Sequence, residues 1–137
     1  MKRLALLSVV SLMLASAVFA PVAMAQQPAE VDVQSVTLGP GGSVTVTGTI
    51  ECIEGYHYNL NLDVRQRTSG NVYMLADIFT SGMCETTGPQ AFTVTDFGER
   101  PFHGGPASIS TRSSLVSPDG SDFIIGPSGV EAVHLSR

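Results

Sequence analysis

Ser43-Val44-Thr45-Val46-Thr47-Gly48-Thr49-Ile50-Glu51-Cys52 alternates apolar and polar residues over ten positions, is rich in β-branched side chains, and ends on one of the two cysteines of the chain. A period of two sends Val44, Val46, Gly48, Ile50 and Cys52 to one face and Ser43, Thr45, Thr47, Thr49 and Glu51 to the other. The stretch therefore reads as a half-buried strand with a covalent anchor at its end. Gly48 interrupts the inward row, and a glycine inside a strand marks either a bulge or a bulky neighbour pressing on the backbone. Tyr58, Phe79 and Phe92 are the large aromatics at hand for the second role.

Working outward, Val31 and Val33 alternate in one phase and Val36 and Leu38 in the other, which predicts a first strand bulged near Ser35. Gly39-Pro40-Gly41-Gly42 is a turn into the second strand. On the far side, Glu54-Gly55 turns the chain into Tyr56 to Gln66, the clearest alternation present. Tyr56, Tyr58, Leu60, Leu62 and Val64 share one face and His57, Asn59, Asn61, Asp63 and Arg65 the other, the pattern of an antiparallel strand with one wet side. Val72 to Thr80 carries apolar residues on both faces, so it is expected to be covered twice or to expose a patch for a partner. Ser81 to Gln90 reads as a loop carrying Cys84 and Gly88-Pro89. Ala91 to Phe97 reads as a short strand with Phe92 and Val94 inward, and Gly98 to Pro106 as irregular. Alternation resumes at Ala107, Ile109 and Thr111. Turns at Pro118-Asp119-Gly120 and Gly126-Pro127-Ser128-Gly129 then bracket a short Phe123-Ile124-Ile125 piece before a last strand, Val130 to Leu135.

Seven or eight short strands separated by Gly/Pro turns, with no amphipathic helical window, predict an all-β fold: an immunoglobulin-like antiparallel β-sandwich with one disulfide, a closed barrel being the alternative. Immunoglobulin-like describes topology here, because the cysteines lie only 32 positions apart and no tryptophan is present to pack on their bridge.

Met1-Lys2-Arg3 followed by an apolar run from Leu4 to Ala20, with Ala23-Met24-Ala25 as a cleavage site, predicts a signal peptide over residues 1–25. A short flexible leader over residues 26–30 and a single domain over residues 31–137 are expected to follow. Export places Cys52 and Cys84 where disulfides persist, and one pairing is open to them; two free thiols or half of a metal site are the competing readings. Loss of Lys2 and Arg3 with the signal leaves five arginines, no lysine and twelve acids, a formal charge of −7. Such a surface repels phosphate backbones and anionic lipid, which argues against nucleic acid and against membrane binding after cleavage.

Gly48-Thr49-Ile50-Glu51-Cys52, the strand ending in Arg65-Gln66, Gly70, Cys84, Phe92-Thr93-Val94, Pro101-Phe102-His103-Gly104-Gly105-Pro106-Ala107 and a terminal Val-x-Leu strand occur in an order that resembles a group of small secreted actinobacterial domains of unknown function. The tryptophan often found in the second half of such domains is missing, and Phe92 stands instead. The resemblance implies export and a sandwich fold, and assigns no catalytic residue.

No nucleophile elbow or other catalytic signature is present, and no catalytic residue, cofactor or metal site is assigned. His103-Gly104-Gly105 is similar to glycine-rich oxyanion loops but has no nucleophile to serve. Asp119-Gly120-Ser121-Asp122 offers hard oxygen ligands of the kind Ca²⁺ takes, in a composition that a plain turn also selects. His57, His103 and His134 would have to converge from separate segments to share an ion. The polar face His57, Asn59, Asn61, Asp63, Arg65 is the candidate binding face: amides, a carboxylate and a guanidinium in a row suit a saccharide or peptide, with Tyr56 or Tyr73 as a stacking platform. An ordinary solvated strand face has the same composition. The expected function is thus a secreted, non-catalytic binding or interaction module for an extracellular ligand or protein. A small secreted hydrolase and a structural or adhesive envelope module are the alternatives.

Overall fold

The computed structural model describes residues 26–67, 70 and 73–137, without the side chains of Tyr73 and Met74; the expected signal peptide lies outside the described residues. Eight strands are present among them: β1 Val31–Leu38, β2 Val44–Cys52, β3 His57–Arg67, β4 Tyr73–Met83, β5 Gly88–Asp96, β6 Gly105–Val116, β7 Phe123–Ile125 and β8 Gly129–Leu135. All ladders between them are antiparallel, in a three-stranded sheet β1-β2-β5 and a five-stranded sheet β4-β3-β6-β7, with β8 also on β6. That order is the immunoglobulin-like one, with the fourth strand on the sheet of β3 and β6 and the last strand divided in two. The N-terminal half of β6 pairs with β8 and its C-terminal end with β7.

The inward rows of the two sheets make one core. Val44, Val46 and Ile50 of β2 face Leu60, Leu62 and Val64 of β3, and all six are fully buried. Gly48 is explained from both sides. It pairs with Phe92 of β5, whose ring lies over it, and it faces Val33, where β1 slips register so that Gln34 is the extra residue. At one edge β8 reaches across to β1, where the Leu38 N–H donates to the Ser136 carbonyl at 2.9 Å.

Cys52 and Cys84 form the disulfide, their Cα atoms 5.6 Å apart, linking the end of β2 in one sheet to the residue after β4 in the other. Backbone bonds flank it: Gly55 N–H donates to the Cys84 carbonyl at 3.0 Å and Cys84 N–H to the Tyr56 carbonyl at 2.8 Å.

Three segments differ from the sequence reading. The loop expected over Ser81 to Gln90 shrinks to Cys84–Thr87, because β4 runs on to Met83 and β5 starts at Gly88. Pro89 is tolerated there because β5 is an edge strand, paired with β2 alone. The leader expected over residues 26–30 is docked at its end: Ala29 is fully buried, donates its N–H to the Glu51 carbonyl at 2.8 Å and accepts from the Ser113 hydroxyl. The segment before β6 is irregular as expected, but it is anchored. Phe102 is buried in the core and donates its N–H to the Gly42 carbonyl at 2.9 Å. Fully buried Gln66 grips His103 with both ends of its amide, donating to the carbonyl at 2.8 Å and accepting from the N–H at 3.1 Å. Among the described residues no helix is long and apolar enough to cross a membrane.

Candidate functional site

Because β3 buries Tyr58, Leu60, Leu62, Val64 and Gln66, its pleat turns His57, Asn59, Asn61, Asp63 and Arg65 outward. β3 lies between β4 and β6, so these five residues run down the outer face of the five-stranded sheet. Register sets their neighbours. Met83, His57, Val116 and Phe123 occupy one row across four strands, and Ser81, Asn59, Ser114 and Ile125 the next. Phe79, Asn61 and Arg112 follow, then Asp77, Asp63, Ser110 and Val130, then Leu75, Arg65, Ser108 and Ala132.

Across this face the chemistry changes. Its two flanks carry exposed apolar side chains: Phe79 and Met83 on β4 are 61% and 56% exposed, and Phe123 and Ile125 on β7 are 59% and 75% exposed. Between the flanks, β3 and β6 are polar, with Asp63 accepting from Arg112 Nη2 at 3.3 Å and from the Ser110 hydroxyl at 3.4 Å, while Val130 of β8 stands exposed beside Ser110. With its arginine 65% exposed, the pair adds about 1 kcal/mol or less. The two-sided pattern of β4 resolves in the same way: Ala76 and Ile78 enter the core while Phe79 stays open to solvent. The apolar patch contributed by β7 was not legible, because a three-residue strand has no periodicity to read.

The other candidates are held elsewhere. Tyr56 packs against the core and its hydroxyl donates to Asp122 Oδ2 at 2.9 Å, so it forms no platform on the outer face. That hydrogen bond, with the carboxylate charge behind it, raises the phenol above its ordinary value. The side chain of Tyr73 lies outside the described residues. His57 pairs with Val116 and His134 with Pro106, ten positions apart along β6 or about 33 Å, so the two do not converge. The His103 N–H, which an oxyanion loop would present, is taken by Gln66.

In the Asp119 to Asp122 loop the two carboxylates serve different partners. Asp122 holds Tyr56, while one oxygen of Asp119 accepts from the Ser121 hydroxyl at 2.7 Å, the Ser117 hydroxyl at 2.7 Å and the Ser121 N–H at 3.0 Å. These bonds, the Ser121 hydroxyl foremost, hold the Asp119 carboxyl at about 2. A carboxylate depressed in the fold stabilises the turn above its unfolded value near 4, and that contribution is lost as pH falls through about 2. The Asp119 carboxyl carbon followed by NMR is expected to titrate with a midpoint near 2; a midpoint near 4 would mean the turn is open in solution. Among the described residues no group of three or more His, Cys, Asp or Glu side chains is placed to hold a metal ion.

No protein-family model matches the chain, and no curated protein matches its sequence. Among solved structures it is similar to a β-glucosidase from Listeria innocua in complex with glucose, at 14% identity and a TM-score of 0.42 over 79% of this chain and 16% of that one. The sporulation control protein Spo0M from Bacillus subtilis is 15% identical, with a TM-score of 0.35 over 79% of this chain and 48% of that one. The alkylpurine DNA glycosylase AlkC from Pseudomonas fluorescens, bound to DNA containing an abasic site analog, is 13% identical, with a TM-score of 0.38 over 80% of this chain and 31% of that one. The chain spans less than half the length of each, and likenesses this distant say nothing about activity.

Proposed function

We propose that this chain is a secreted, non-catalytic binding module that takes an extracellular saccharide on the outer face of its five-stranded sheet. One observation carries the reading: four large apolar side chains stand open on the same face as a row of amides, hydroxyls and a paired carboxylate. A wet strand face explains the polar row alone. It does not explain why large apolar side chains stand exposed on both flanks of that row, Phe79 and Met83 on β4 and Phe123 and Ile125 on β7. Asn59, Asn61 and Ser114 offer donors and acceptors at the spacing of a rigid pleat, and the ring of Phe79 or of Phe123 on either flank offers a platform for the C–H face of a sugar ring. Export is supported by the signal pattern over residues 1–25, by the disulfide and by the resemblance to small secreted actinobacterial domains. The non-catalytic reading is supported by the two shifted groups, Tyr56 and Asp119, whose polar atoms are taken up by hydrogen bonds to the Ser117 to Asp122 turn.

A panel of immobilised neutral saccharides tests the reading. Binding is expected to be lost in an Asn59→Ala, Asn61→Ala double variant whose melting temperature stays within about 3 °C of the parent, as for surface changes worth under about 0.5 kcal/mol each. Unchanged binding by that variant, a footprint on the three-stranded sheet, or turnover of a bound saccharide would each overturn it.

A further inference from the structure

β3 and β6 part company at one end of the outer face. Their ladder ends at the pair Arg65 and Ser108, yet β3 continues to Arg67 against β4, and β6 reaches back to Gly105 against β8. Pro106 falls where the ladder stops, and having no N–H it cannot donate to a neighbouring strand. Where the strands diverge lies a cleft of about 430 Å³ lined by Arg65, Arg67, Pro106, Ala107 and Ser108, within the usual range for small-molecule sites of about 300–1,000 Å³.

Two of the chain's arginines meet in this one cleft. Arg67 is steadied by a bond from Nε to the Gly70 carbonyl at 3.1 Å, which leaves its terminal nitrogens for other partners. Among the described residues the single ion pair is Arg112 with Asp63, so neither cleft arginine is neutralised by a carboxylate. Of the acids one register position away, Asp63 is occupied by Arg112 and Ser110, and Asp77 is exposed on β4. On a chain whose charge after residue 25 is −7, a concentration of positive charge with a hydroxyl beside it is selective for one compact anion. A polyanion would meet repulsion from the rest of the surface.

We propose that this cleft binds the carboxylate of an acidic sugar, a uronate, with Arg65 and Arg67 as its ion-pairing donors and Ser108 as a hydrogen-bonding neighbour. A guanidinium fork matches the two oxygens of a carboxylate in geometry, and a second guanidinium lining the same cleft adds charge. The assignment of a sugar, as opposed to a bare carboxylate, rests on the outer-face reading above, because the polar row Asp63, Ser110, Asn61 continues from the cleft along β3 and β6.

Glucuronate, glucose and acetate titrated into the isotope-labelled chain test it. Glucuronate is expected to shift the resonances of Arg65, Arg67 and Ser108, to bind more weakly as sodium chloride is raised, and to lose affinity about ten- to a hundredfold in Arg65→Gln and in Arg67→Gln. Arg65→Lys should lose part of that, and Arg100→Gln, a charge outside the cleft, nothing. Melting temperatures unchanged in Arg65→Gln and Arg65→Lys would tie the loss to binding. Equal affinity for glucuronate in the glutamine variants, or no response at the cleft, would overturn the site. In the latter case glucose shifts along Asn59 and Asn61 would leave the outer-face reading standing. An equal response to acetate would overturn the sugar and keep the carboxylate.

Discussion

Replacing Cys52 and Cys84 together by alanine is expected to lower the stability of the domain by about 3–4 kcal/mol and its melting temperature by roughly 15 °C. The size follows from what the bridge closes. Its sequence separation is 32, and a loop of that length removes conformations from the unfolded chain that are worth several kcal/mol in the chain-entropy account. The native side should change little, because the residues around the bridge are held independently. Gly55 and Cys84 remain joined through backbone bonds, as do Cys84 and Tyr56, and Cys52 stays paired with Gly88 across β2 and β5. Both cysteines are buried, so alanine leaves small voids that add modestly to the loss. The expected signature is a native-like circular dichroism spectrum with an early melt, reproduced in the parent chain by adding reductant. An unchanged melting temperature in both would mean that the bridge contributes nothing, and free thiols in the untreated protein would mean that it does not form.

Strands with strict alternation are legible in the sequence alone. β2 and β3 follow the period of two from end to end, and the face assigned to each of their residues is the face it occupies. Phe92 over Gly48 is within reach for the same reason, since few aromatics are available to explain an inward glycine. What stays hidden is set by tertiary contacts without local signature. Phe102 sits in a glycine- and proline-rich segment that looks polar and irregular, and it is buried because Gln66 and Gly42 hold the backbone on either side of it. Ala29 is enclosed by Glu51 and Ser113, which are remote in sequence. The candidate face is legible as a row on one strand. Its flanks are not, since Met83 and Val116 come to lie beside His57, and Phe123 beyond Val116, only through the register of three further strands. The cleft arginines are visible as residues and invisible as a pair of donors, because the divergence of β3 from β6 at Pro106 is a property of the sheet.

Gly48→Ala is expected to destabilise the domain by about 2 kcal/mol, or roughly 8 °C, although alanine is ordinarily the better residue in a strand. Two opposed effects decide the sign. Adding a methyl group restricts the unfolded chain and improves strand propensity, a gain of about 0.5–1 kcal/mol wherever the methyl fits. Here it does not fit. A Cβ on residue 48 would lie 2.8 Å from Cζ of Phe92 and against the carbonyl oxygen of Asp32, and overpacking a closed site of this kind costs about 1–3 kcal/mol and sometimes more. The ring has limited room to retreat, being itself buried in the core, and the Asp32 carbonyl belongs to the backbone of β1 beside its bulge. A double-mutant cycle with Phe92→Ala separates the two contacts. Phe92→Ala alone should cost about 3–5 kcal/mol as a large-to-small core change. The pair together should cost less than the two separate losses by about 1 kcal/mol, because the ring no longer meets the methyl group while the Asp32 contact persists. Strict additivity in that cycle would place the whole penalty on the β1 backbone, and a Gly48→Ala protein as stable as the parent would show that the sheet yields at this point.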